Sequence, residues 1–135
     1  MIEITEEPIL TELVVDRVKT DGSGCVVTYV GLIRDRSRNK PVLSVEYEDA
    51  RGDAAKRLQD IADAARQKWE LNSIAISHRI GKLKVGDINL VVAVAAAHRR
   101  EGFAACQYVI DQFKHKLPTQ KKEVYQDGSV WVDEE

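Results

Sequence analysis

The chain has 135 residues, 44% hydrophobic and 31% charged, a length and composition that suit a single domain spanning 1–135 with its own core and exclude the disordered class. Its 20 Lys+Arg against 22 Asp+Glu give a formal net charge of −2, which excludes a chain-wide attraction to nucleic acid or anionic membrane. No apolar run approaches the ~20 residues that span a bilayer, and the opening "MIEITEEPIL" lacks the basic and apolar regions of a signal peptide, so a cytoplasmic protein is expected.

In chain order, residues 2–5 read as a short edge strand. Pro8 is placed to open a helix carrying Ile9, Leu10, Leu13, Val14 and Val18. "DGSG" at 21–24 is a turn. The β-branched run "CVVTYVGLI" (25–33) is too short for a helix and reads as a buried strand, ending in the polar loop "RDRSRNKP". "VLSVEYEDA" (42–50) alternates as the next strand. Asp53 is placed as N-cap of a helix whose apolar stripe is Ala54, Leu58, Ile61, Ala62, Ala65 and Trp69, ending near Leu71 and Asn72.

"SIAISHRI" (73–80) and "INLVVAVAAA" (88–97) read as strands joined by a Gly81 to Gly86 connection. A second long helix, 99–116, places Phe103, Cys106, Ile110, Phe113 and Leu117 three and four apart until Pro118 stops it. The final segment, "KKEVYQDGSVWVD", holds two alternating runs joined by Asp127-Gly128, a strong hairpin signal. The mixture of hairpins and helical crossovers predicts an α+β sandwich of mixed, largely antiparallel strands, with two long helices and a C-terminal hairpin.

Cys25 and Cys106 have no CxxC pairing and sit among apolar neighbours, as small buried thiols do. His78, His98 and His115 form no ligand spacing, so no structural metal is expected. No GxGxxG or Walker loop is present, which argues against nucleotide chemistry of those kinds.

The cations are concentrated late in the chain. Between His98 and Lys122 there are six Lys/Arg residues against Glu101 and Asp111. His98, Arg99 and Arg100 open a helix, where the macrodipole already favours anions. Either they hold a phosphate or carboxylate there, or Glu101 offsets the dipole and the arginines point into water. Lys114 falls in a last helical turn, where a cation is favoured, and the Pro118 stop can bring Lys121, Lys122 and Glu123 back beside it. Cations held together disfavour one another's charge, and a neutral lysine is a nucleophile or general base. Arg34 closes its strand three residues after Gly31, which permits a close backbone approach.

"VVTYVGLIRD", "VEYED", "ISHRIGKLKVGD", "AAHRREGF", "IDQFKHKLP", "KKE" and "GSVWV", in this order, resemble the large, catalytic subunit of molybdopterin synthase over about residues 25–132. The resemblance implies an α/β-hammerhead-like fold. It also implies a homodimer within a heterotetramer, each large subunit binding a small ubiquitin-like sulfur carrier with a C-terminal Gly-Gly thiocarboxylate. Sulfur from that tail is transferred twice to cyclic pyranopterin monophosphate, giving the dithiolene of molybdopterin, with no cofactor. Carried over by position, the catalytic candidates are Lys114 and Lys121. The substrate-binding ones are Leu32, Ile33, Arg34, His98, Arg99, Lys122 and Glu123. Between proline and first lysine the family usually has an apolar residue and a tryptophan, where this chain has Thr119 and Gln120. The alternative from another class is a non-catalytic module that docks an anion or a protein on the same basic patch.

Overall fold

The computed structural model describes residues 1–132. In chain order the elements are β1 (Ile2–Thr5), α1 (Thr11–Val18), β2 (Cys25–Leu32), β3 (Arg36–Ser37), β4 (Lys40–Pro41), β5 (Ser44–Glu48) and α2 (Ala54–Lys68). Then follow β6 (Ser73–Arg79), β7 (Gly81–Lys84), β8 (Ile88–Ala96), α3 (Arg99–His115), β9 (Gln120–Tyr125) and β10 (Gly128–Val132). One four-stranded sheet has the order β1-β6-β8-β2 and a second the order β10-β9-β5-β7. Only the β1–β6 pair is parallel among the described strands. This is the mixed, largely antiparallel α+β architecture that the alternation of hairpins and crossovers predicts.

The first sheet is covered on both faces. Leu58, Ala62 and Ala65 of α2 and Ala105, Val109 and Phe113 of α3 pack with Ile74, Ile76, Leu90, Val92 and Val94 on one side. Val14 and Val18 of α1 pack with Ala75, Val91, Ala93 and Ala95 on the other. This is why β8 is apolar from Leu90 onward: both of its faces are buried, and each large side chain so covered contributes about 1.5–3 kcal/mol. The second sheet packs Val45, Tyr47, Leu83 and Tyr125 with Ile33 and Val42.

Several sequence expectations are corrected. Helix α1 starts at Thr11, so Pro8 lies three residues ahead of it rather than opening it. Asp53 holds the expected N-cap position of α2 but its side chain makes no capping bond; Ala54 N–H donates to Asp49 Oδ1 at 3.2 Å, and Asp53 accepts from Arg57 Nε at 3.0 Å. Helix α2 ends at Lys68, ahead of Leu71. The buried stripe of α3 is Gly102, Ala105, Cys106, Val109 and Phe113, whereas Phe103 is 62% exposed. Small residues win that face because the helix lies close on the sheet: a Cβ at Gly102 would sit 3.0 Å from Val27 Cγ2. Cys25 is half-buried, while Cys106 is buried. The connection after Gly81 is a true strand, β7, paired with β5. The predicted C-terminal hairpin is present through Val132, and its last residue, Asp133, lies outside the described residues.

Candidate active site

The loop "RDRSRNKP" folds into a two-stranded hairpin, with Ser37 opposite Lys40. The two residues between them, Arg38 and Asn39, have φ 55° and 62°. Positive φ at both positions is the geometry of a two-residue turn whose twist matches the strands, and Asn tolerates it better than Arg. Lys40 ties the hairpin to the β9–β10 turn through Asp127 at 3.0 Å and lies 5.7 Å from the centroid of the Tyr125 ring. Its hydrogen bond and charge hold the Asp127 carboxyl below the usual carboxylate range.

Under this hairpin is a cavity of about 720 Å³. The end of β2 supplies Leu32, the segment after it Ile33 and Arg34, the hairpin Arg36 and Arg38, α3 Lys114, and β9 Lys121 and Glu123. Among the described lining residues five are cationic and one, Glu123, is anionic, so the cavity favours an anionic ligand. Alternation in β9 decides which side chains enter: Lys121, Glu123 and Tyr125 are buried on one face. Glu123 is held by Ser37 Oγ at 3.1 Å and Tyr125 Oη at 3.0 Å, with Arg38 Nε 3.9 Å away. Lys121 is 9% exposed and its Nζ lies 6.0 Å from the Tyr47 ring centroid.

Gly31 allows the close approach expected of it. A Cβ there would come within 2.9 Å of Asn89 Oδ1 and 3.1 Å of the Tyr29 ring. The β2–β8 register shifts between Gly31 and Leu32, and a bulge of this kind re-aims the residues that follow it. Ile33 is consequently buried and Arg34 lines the cavity.

Of the residues predicted for substrate binding, Leu32, Ile33, Arg34 and Glu123 thus meet Lys114 and Lys121 in one cavity. Lys122 does not: its Nζ lies 2.9 Å from Glu46 and 5.4 Å from the Trp131 ring centroid, on the opposite face of β9. His98 and Arg99 do not either. They sit at the start of the 17-residue α3, and Arg99 and Lys114 are about 22 Å apart along its axis. His98 lines a different cavity, of about 420 Å³, with Trp69 and Glu101.

The sequence reading missed Arg36, Arg38, Tyr47 and Asn89. The alternation Arg34, Arg36, Arg38 was the available signal, since residues two apart share a face of an extended chain. A further cavity of about 620 Å³ adjoins the first at Lys121 and is lined by Arg51, His115 and Lys116. Among the described residues, no cluster of three or more His, Cys, Asp or Glu is arranged to hold a metal ion, and no helix is long and apolar enough to cross a membrane.

Residues 4–116 match the sequence profile of the MoaE protein family. The chain is 35% identical over 133 residues to the molybdopterin synthase catalytic subunit of Bacillus subtilis, covering 98% of this chain and 85% of that relative. The X-ray crystal structure of molybdopterin synthase from Staphylococcus aureus superposes with a TM-score of 0.90 at 35% identity, over 96% of this chain and 95% of that one. A complex of subunits 1 and 2 of molybdopterin-converting factor from Helicobacter pylori superposes with a TM-score of 0.77 over 97% and 89%; at 13% identity this is a likeness of fold.

Proposed function

As a member of the MoaE family of molybdopterin synthase catalytic subunits, the chain is read as a sulfurtransferase, and we propose that its cationic cavity is where sulfur reaches the pterin. The donor is the C-terminal thiocarboxylate of a small ubiquitin-like carrier, and the acceptor is cyclic pyranopterin monophosphate. Each transfer forms a carbon–sulfur bond on the pterin side chain while a carbon–oxygen bond at the same carbon breaks, its oxygen leaving as water or with the opened phosphate ester. Hydrolysis of the acyl carbon–sulfur bond then frees the carrier, with water supplying the oxygen of its carboxylate. The observation that carries this reading is the meeting of Lys114, Lys121 and Arg34 beside a fixed Glu123.

Arg34 holds the substrate's phosphate, and the hairpin cations Arg36 and Arg38 extend that site. A guanidinium suits this task because its fork of donors matches phosphate oxygens. Lys114, at the end of α3, assists sulfur release and proton transfer at the thiocarboxylate. Lys121 acts as acid or base on the pterin. Ionic donors aimed into a partly enclosed site stabilise developing negative charge better than they would in open water.

His98 and Arg99 join this site from a second copy of the chain. Their distance from Lys114 along α3 rules out a shared cavity within one chain, whereas a homodimer can present one copy's α3 start to the other copy's cavity. Exposed Phe103 at that helix start, with Leu32 and Val30 at the cavity rim, offers apolar surface for such a contact. Residues 1–135 act as a single domain, and the reaction is cytoplasmic, in keeping with two free thiols.

The test is to combine the protein with the thiocarboxylated carrier and cyclic pyranopterin monophosphate and assay dithiolene. Product formation is expected; binding of the carrier without product would leave only a docking module.

A further inference from the structure

A buried chain of hydrogen bonds leaves Thr119, one residue before β9, and ends at Tyr47, whose ring lies beside Lys121. Thr119 Oγ1–H donates to His78 Nε2 at 2.9 Å, and His78 Nδ1–H donates to the Asn89 carbonyl at 2.8 Å. The carbonyl can only accept, so in the neutral imidazole the proton is fixed on Nδ1 and Nε2 is the acceptor that Thr119 satisfies. Asn89 Nδ2–H donates to Tyr47 Oη at 3.0 Å. The Tyr47 ring then underlies Lys121 Nζ, and Tyr47 and Lys121 are register partners across β5 and β9.

These bonds link both sheets, through β6, β8 and β5, and their members are nearly inaccessible: His78 0%, Tyr47 1%, Thr119 2% and Asn89 5% exposed. The His78 ring also stands edge-on to Phe113, the neighbour of Lys114, with centroids 5.0 Å apart. One imidazole therefore touches both the helix that carries Lys114 and the residue that leads into the strand of Lys121. The second departure from the family pattern also has a bond, since Gln120 Oε1 accepts from Ala50 N–H at 2.9 Å. An apolar side chain at 119 could not donate to Nε2, so this chain of bonds depends on the threonine.

We propose that Thr119, acting through His78, is a positioning residue for Lys121. The inference rests on the reading of the cavity as the sulfur-transfer site. A lysine on a four-carbon stem has many rotamers, and a catalytic group must be held within about 0.5 Å of its productive place. Fixing the entry to β9 and the ring beneath the ammonium supplies that restraint.

Thr119→Val keeps the shape and removes the donor; Thr119→Ser keeps the donor. With the thiocarboxylated carrier, Thr119→Val is expected to lower kcat about tenfold at nearly constant KM for the pterin, and Thr119→Ser to stay within about twofold. The second readout needs no turnover: the rate at which Lys121 is acetylated by an amine reagent, followed by mass spectrometry against Lys114. Lys121 labelling is expected to accelerate several-fold in Thr119→Val alone, with Lys114 unchanged. Tyr47→Phe, which removes the Asn89 acceptor and keeps the ring, is expected to shift both readouts the same way, and it decides the matter if Thr119→Val does not fold. Wild-type kcat and labelling in Thr119→Val would overturn the proposal, as would equal losses in the Val and Ser variants, which signify packing alone. If the unaltered protein makes no product, the reading of the cavity fails, and the labelling pattern still decides whether Thr119 positions Lys121.

Discussion

Lys122 and Glu46 face each other across the β5–β9 ladder as register partners, with Nζ and Oε2 2.9 Å apart. The adjacent Lys121 points the other way, into the cavity with Lys114. Two neighbouring lysines are thereby separated into a cross-strand ion pair and a site cation by the two-residue period of a strand.

Lys122→Ala is accordingly expected to cost about 0.5–1 kcal/mol of stability through the lost pair and to leave turnover near wild type. Lys121→Ala and Lys114→Ala should each abolish most turnover while the fold persists. Denaturant unfolding together with dithiolene assays on the three variants separates these outcomes; a Lys122→Ala enzyme as inactive as Lys121→Ala would contradict the assignment.

The positive φ of Arg38 is a strain retained at the cavity rim, and a side-chain residue held there costs on the order of 1 kcal/mol relative to glycine. Arg38→Gly should raise the unfolding free energy by up to about that amount and weaken binding of the anionic substrate. Calorimetry and the KM for the pterin check the two halves. Loss of stability would show that the Arg38 contact with Glu123 outweighs the backbone strain.

A mixed dimer tests where His98 and Arg99 act. One chain carries Lys114→Ala and the other Arg99→Ala, each inactive alone. If Arg99 serves the neighbouring copy, one site in each mixed dimer is intact, and random mixing restores about a quarter of wild-type activity. Activity no higher than that of the separate variants would contradict action across the dimer, and an Arg99→Ala protein active by itself would place Arg99 outside the reaction.

Gly31→Ala should be poorly tolerated. The added methyl would stand 2.9 Å from Asn89 Oδ1, and relieving that contact moves the side chain that hydrogen-bonds Tyr47. A loss of about 1–3 kcal/mol is expected, with turnover reduced as well. Unchanged melting and activity would show that Asn89 yields without consequence.

Burial pushes the Cys106 thiol from 9.0 up to about 11. The folded state therefore holds this proton more tightly than the unfolded one. Its contribution to stability is fully present below about pH 9 and is lost as the pH climbs through about 11. Unfolding titrations across that window should show the decline in wild type and a flatter profile in Cys106→Ala. Cys106 should also resist alkylation at pH ~8 until the protein is unfolded. Rapid labelling of the native protein would contradict its burial.

The sequence by itself determined what local chemistry controls. Pro118 stops α3, Asp127-Gly128 turns the last hairpin, the apolar run 90–97 announces a strand, and the ordered motifs identify the family and single out Lys114 and Lys121 as candidates. Tertiary structure alone decided which residues share the cavity. Arg36 and Arg38 enter it because a polar loop folds into a hairpin pinned by Lys40 and Asp127, and Lys122 leaves it because Glu46 lies opposite. His98 and Arg99 are separated from it by the length of α3. His78 meets Thr119, forty-one positions away, because two sheets pack at that seam. Periodicity and turn residues are set by neighbours a few positions apart, whereas register, bulges and buried polar partners are fixed only when distant segments compete for the same contacts.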